Sequence, residues 1–344
     1  MIKEAINSLI CGNSLTIQEA SSVMEEIMEG NATQAQLGAF LVALRLKGET
    51  SEEVAGMANV MRSKSTCVNV SGPVIDIVGT GGDGSNTFNI STTAAFVMAG
   101  AGLKVAKHGN RAMSSRCGSA DVLETLGIQI NLEAEKVKEC IDNVGIGFMF
   151  AQAFHPSMKY AAGARKEIGV RTIFNILGPL TNPARAEYQV IGVPNMEIGD
   201  KMAQALCYMG IKRAMIVHGC SGIDELTVSG DSVIWEVYDN KVVSSRKYLK
   251  PEDFSFKRSP ASSILGGTPS ENAEILRSVL NGEKSPKRDV VLLNAAAGIL
   301  TGCKAKNMSE AVSIASESID SGKAFDKLKQ LISFTGIKVV VPGR

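Results

Sequence analysis

The sequence predicts an α/β fold: a small all-helical domain followed by a large α/β domain with a central, mostly parallel sheet. Three observations carry this. Over the first ~65 residues, apolar positions recur at helical spacing behind clear capping signals. From Val74 onward, short β-branched runs alternate with helical stretches, the pattern of parallel strands joined by crossover helices. The first such run, Val74 to Val78, leads into Gly79-Thr80-Gly81-Gly82-Asp83-Gly84 and then into an apolar, Ala-rich stretch ending at Gly100. That is strand, glycine loop and helix start, with Asn89, Ser91 and Thr92 expected at the cap.

Each element has its own signal. Ile2, Ile6, Leu9 and Ile10 suggest a short first helix. Thr16 with Glu19, Thr33 with Gln36 and Thr50 with Glu53 read as capping boxes opening three more. Their faces are too apolar for isolated helices, so they must pack on one another, on a later segment or on a second subunit. Further strands are expected at Leu103–Ala106, Gly145–Phe150, Tyr188–Val193 and Arg213–His218, with an antiparallel excursion over Val233–Tyr238 and Lys241–Ser244. Helices are expected in two pieces over 121–143, near 197–209, and then near 270–281, 288–302 and 308–332, before a closing strand at Ile337–Val341. The expected domains are 1–70, completed by a helical segment near 167–185, and 71–344.

Composition narrows the function. With 36 basic and 35 acidic residues the net charge is +1, which gives no footprint for nucleic acid. No apolar run approaches a membrane span, and Lys3 and Glu4 disfavour a signal peptide. Seven scattered cysteines, odd in number and without a C-x-x-C pair, read as reduced thiols of a cytoplasmic protein.

Glycines let a backbone turn with positive φ and approach a ligand closely. Successive N–H groups in such a loop, backed by a helix N-terminus, make an anion site. The dinucleotide version of this motif wants an acid at the end of the next strand; here that strand runs into Lys107-His108-Gly109-Asn110-Arg111, which is basic. No Gly-Lys-Ser/Thr follows the glycines, so the P-loop pattern is absent. A phosphate or pyrophosphate site is the natural reading, and two glycine- and base-rich loops at the ends of successive strands favour a bound ligand over a mere tight turn. Asp224 and Glu225, adjacent acids in another strand-end loop, suit Mg²⁺, which binds through one or two carboxylates plus substrate phosphates.

Taken in order, these segments resemble the anthranilate phosphoribosyltransferases. The matching stretches are Gly79–Asp83, Asn89–Thr92, Lys107–Arg111, Gly118–Asp121, His155-Pro156, Arg171–Asn175, Gly178–Leu180 and Asp224-Glu225. The resemblance covers nearly the whole chain and implies transfer of phosphoribosyl from phosphoribosyl pyrophosphate to the amino group of anthranilate, in tryptophan biosynthesis. It implies a nucleoside phosphorylase-like architecture and a homodimer. For phosphoribosyl pyrophosphate it implies Gly79, Gly82, Asp83, Thr87, Asn89, Ile90, Ser91 and Thr92, then Lys107, His108, Gly109, Asn110, Arg111, Ala112, Met113, Ser114, Ser115 and Ser119. For anthranilate it implies Gly79, His108, Asn110, His155, Arg165 and Pro179, with Arg165 and Asn110 on the carboxylate and the histidines and proline walling the ring. For metal it implies Ser91, Asp224 and Glu225, holding two Mg²⁺ ions. No general base is expected, because a neutral aromatic amine can attack C1′ directly. The run Ala162-Gly163-Ala164-Arg165 departs from the family's usual Ala-Pro-Val-Arg.

Three rival readings are weaker. A pyrimidine nucleoside phosphorylase has no need of paired Mg²⁺ ligands. A nicotinamide oxidoreductase lacks its acid. A nucleic-acid-binding relative lacks a basic surface.

Overall fold

A computed structural model describes residues 1–112 and 116–336. Met113, Ser114 and Ser115 of the expected anion loop, and the strand expected at Ile337–Val341, lie outside the described residues. The chain opens with α1 (Ile2–Ile10), α2 (Ile17–Met28), α3 (Gln34–Lys47) and α4 (Ser51–Ser63). All three expected capping boxes form, each Thr hydroxyl accepting an N–H three residues on while the Glu or Gln there accepts from the Thr backbone. Glu53 is fully buried because it also accepts the Leu15 N–H at 2.9 Å and pairs with Lys47 at 2.9 Å.

Next come β1 (Ile75–Gly79), α5 (Ile90–Gly100), β2 (Val105–Gly109), α6 (Ser119–Thr125), α7 (Ala134–Val144), β3 (Ile146–Phe150), α8 (Ala151–Phe154), α9 (Lys159–Ile168) and α10 (Phe174–Leu177). They are followed by β4 (Tyr188–Gly192), α11 (Met196–Tyr208), β5 (Arg213–Gly219), β6 (Ser232–Tyr238) and β7 (Lys241–Leu249). The chain then closes through α12 (Pro269–Leu280), α13 (Pro286–Thr301), α14 (Met308–Asp320) and α15 (Lys323–Thr335). The helix expected over 308–332 is therefore two helices: Gly322, at φ +79°, breaks it where an L side chain would be strained.

One sheet orders the strands β3-β2-β1-β4-β5-β6-β7. Strands β1 to β5 run parallel, and β6 and β7 are antiparallel, as the excursion predicts. Helices α5 and α12 to α15 share a core with one face. A second core runs from the four N-terminal helices through α9 to α11 and onto β4 to β6. The apolar faces are thus covered by later helices, while Ile10 and Leu46 remain 71% and 83% exposed. No helix among the described residues is long and apolar enough to cross a membrane. The strand order reverses between β1 and β4, and a crevice opens at such a reversal, outside the carboxyl ends.

Candidate active site

Gly79 and Gly192 end β1 and β4 side by side. The loop after β5 crosses over both: a Cβ on Gly79 would lie 2.2 Å from Asp224 Oδ2, and one on Gly192 1.6 Å from the Asp224 carbonyl oxygen. Gly79 therefore makes room for an acid, besides heading the expected phosphate loop. Asp224 Oδ2 accepts the Gly81 N–H at 2.7 Å, and the Asp224 N–H donates to Asp83 Oδ2 at 3.3 Å. Gly81, Gly82 and Gly84 have φ of +70°, +71° and +74°, the left-handed turn expected of this loop. From beyond α9, Arg171 donates to the carbonyls of Gly81 and Gly82, both at 2.8 Å. Arg171 stands within a segment that matches the family, yet no local pattern ties it to a loop 90 residues away.

Asn89 precedes α5 but does not cap it with its side chain. Its Nδ2 donates to the Cys117 carbonyl at 3.2 Å and its Oδ1 accepts from Asn272 at 2.9 Å. Glu225 supplies the helix-end acceptor instead, Oε1 taking the Ser91 N–H at 3.2 Å. Ile90 and Thr92 are buried, the Ile90 N–H is already taken by the Phe88 carbonyl at 2.7 Å, and the Thr87 backbone bridges to Leu265.

Asp83, Asp224 and Glu225 crowd one place. Burial, then the charge of Asp83, pushes Asp224 up to about 7; burial, then Asp224, holds Glu225 well above the usual carboxylate range. Lys107 is 3% exposed, donates to the Ile77 carbonyl at 2.7 Å and lies 3.4 Å from Ser91 Oγ. Burial lowers its pKa, against the pull of Asp76 and Glu225. Among the described residues no three His, Cys, Asp or Glu side chains form a ready-made metal cage. Mutually repelling carboxylates with hard oxygen donors nevertheless fit Mg²⁺, which takes its remaining ligands from phosphate and water.

Strand β2 divides this acidic side from a second region, because successive residues of a strand face opposite ways. Lys107 turns toward Ser91 and Glu225; His108 turns to His155, with ring centroids 5.0 Å apart. Both rings are buried, and neither Nε2 has a hydrogen-bond partner among the described residues. Burial, reinforced by His155, pushes His108 down to about 3, and burial pushes His155 down to about 4, so both are neutral at pH 7. Pro179 is buried in the turn Gly178–Leu180, whose Gly178 backbone hydrogen-bonds His108. Arg165, on α9, stacks over Phe174 at 4.9 Å, its pKa lowered by burial. No acid pairs with Arg165 among the described residues. His218 bonds the Val193 carbonyl oxygen at 3.0 Å through Nδ1.

The loop after β2 is braced from within. A Cβ on Gly109 would meet Ser119 Oγ at 2.2 Å, and that hydroxyl donates to the Asn110 carbonyl at 3.2 Å. Asn110 Oδ1 accepts the Arg111 N–H at 2.8 Å. The N–H groups of Ala112 and Gly118 both reach Asp121 Oδ2, at 3.0 and 2.8 Å. The Arg111 guanidinium is engaged by Asp121 at 3.0 Å and Glu124 at 2.5 Å, and sits 5.5 Å over the Phe150 ring.

Comparison with known proteins gives the family. Residues 3–65 match the helical bundle domain, and residues 71–325 the a/b domain, of the glycosyl transferase family. An anthranilate phosphoribosyltransferase of Dehalococcoides mccartyi is 60% identical over 335 residues, 97% of this chain and 98% of that one. The crystal structure of anthranilate phosphoribosyltransferase from Thermus thermophilus superposes with a TM-score of 0.91 at 44% identity, covering 96% of this chain and 99% of that one. The Saccharomyces cerevisiae enzyme in complex with phosphoribosyl pyrophosphate and Mg gives 0.88 at 30% identity, covering 97% of each. The chain belongs to the anthranilate phosphoribosyltransferase family.

Proposed function

We propose that this protein transfers the phosphoribosyl group of phosphoribosyl pyrophosphate to the amino group of anthranilate, releasing pyrophosphate, in tryptophan biosynthesis in the cytoplasm. The observation that carries the reading is the split at β2: Lys107 faces a glycine loop with three acids, and its neighbour His108 faces a second, uncharged imidazole. One side suits a metal-bound pyrophosphate, the other a flat aromatic ring. The glycine-loop N–H groups and the α5 start bind pyrophosphate and ribose, and the Asn110–Ser119 loop takes the other phosphate. Asp224, Glu225 and Ser91 would hold two Mg²⁺ ions, which would supply charge neutralisation at the leaving group. His108, His155 and Pro179 wall the anthranilate ring, and Arg165 and Asn110 meet its carboxylate. Catalysis is then positioning and electrostatic stabilisation, with no proton removed at the start.

Residues 1–70, with the segment near 167–185, form one domain and 71–344 the other, and the two close on the acceptor together. The chain acts as a homodimer through the N-terminal helices, where Ile10 and Leu46 are exposed. Sedimentation as a monomer at micromolar concentration would contradict that. Pyrophosphate release measured with and without anthranilate tests the reaction itself: release that ignores anthranilate rejects it.

A further inference from the structure

We propose that Arg171 is a positioning residue for the phosphorylated substrate, a clip that aims the N–H groups of Gly82 and Asp83 before that substrate arrives. The inference rests on the reading that this loop receives pyrophosphate. The flat fork of a guanidinium can serve two acceptors at once, and here Nη1 reaches the Gly82 oxygen and Nη2 the Gly81 oxygen, both at 2.8 Å. A trans peptide is planar, so its C=O and the following N–H point opposite ways. Holding the Gly81 and Gly82 carbonyls therefore turns the N–H groups of Gly82 and Asp83 to the far side of the loop. Neither N–H has a hydrogen-bond partner among the described residues. The Gly81 N–H, by contrast, is already held by Asp224. Two consecutive glycines at φ +70° and +71° would otherwise have to be ordered by the ligand itself. The approach is close: a Cβ on Gly82 would sit 3.0 Å from Arg171 Cζ.

Arg171 also belongs to the other side of the crevice. It follows α9, which is capped by Gly169 at φ +65°, carries Arg165 and packs on α2 and α3. The clip therefore joins the segment bearing the acceptor's arginine to the donor's loop.

The test is calorimetric titration of phosphoribosyl pyrophosphate with Mg²⁺ into the full chain without anthranilate, beside initial-rate kinetics. Arg171→Ala should weaken phosphoribosyl pyrophosphate about tenfold, while the KM for anthranilate and the saturated rate stay within about twofold. Arg171→Lys should recover only part of the loss, because one ammonium cannot span two carbonyls as a fork does. Unchanged donor affinity in Arg171→Ala, equal losses for both substrates, or full recovery with lysine would each overturn the clip. A wild-type protein that binds the donor but releases no pyrophosphate with anthranilate would sink the catalytic reading while leaving the titration to judge Arg171. Failure of the wild type to bind the donor would overturn both.

Discussion

The Asn182 side-chain amide donates to the Asp76 carboxylate at 2.7 Å, from 106 residues along the chain. The same amide donates to the Ala106 carbonyl at 2.8 Å, and the other Asp76 oxygen accepts the His108 N–H at 3.2 Å. Asp76 and Asn182 are almost completely buried, so this network ties the segment returning from α10 to the strand bearing Lys107 and His108. Removing one partner of a buried, charge-assisted bond leaves the other desolvated. Asn182→Ala should cost about 2 kcal/mol of stability, read from urea unfolding. An unchanged midpoint would mean that the network carries no weight.

Acid should weaken the fold through the histidine pair. Unfolded histidines take protons near the ordinary value of 6.5, while folded His108 and His155 resist until about 3 and about 4. The unfolded state therefore binds more protons as pH falls from 6.5 toward 4, and stability declines there by up to about 1.4 kcal/mol per pH unit for each ring. His155→Leu should gain on the wild type as pH drops from 7 to 5. A constant difference in unfolding free energy across that range would remove the histidines from the account.

The raised carboxylates make opposite forecasts for activity and stability. Asp224→Asn with Glu225→Gln keeps acceptors for Gly81 and Ser91 but removes two repelling charges. Turnover should fall on the order of 10²-fold, by analogy with lost transition-state charge stabilisation. Unfolding stability without metal should hold or rise, since the folded state raises the pKa of both groups and so disfavours their ionised forms. Near-normal turnover at low Mg²⁺ would reject the metal assignment.

Arg165 stacks on Phe174 and pairs with no acid among the described residues, so its charge is open to an anionic acceptor. Arg165→Ala should raise the KM for anthranilate about 10- to 100-fold, the loss expected for one charge-assisted bond, with little effect on the donor. Asn110→Ala should show the same selectivity more weakly. Equal losses for both substrates would assign these residues to closure and not to recognition.

Local chemistry made much of this protein legible in its sequence. A capping box spans four residues, so Thr16, Thr33 and Thr50 announce their helices directly. Strand alternation and the glycines after Val78 likewise act over a few residues, and they locate the sheet and the phosphate loop. Tertiary structure decided which groups meet. Asn89 looked like the cap of α5, but Glu225 holds the Ser91 N–H from 134 residues away, because β5 packs beside β4 and β4 beside β1. The hold of Arg171 on Gly81 and Gly82, and of Asn182 on Asp76, depends on the same strand order and on where α9 and α10 pack. Strand order is set by the burial of whole faces against one another, a long-range condition that no local periodicity records.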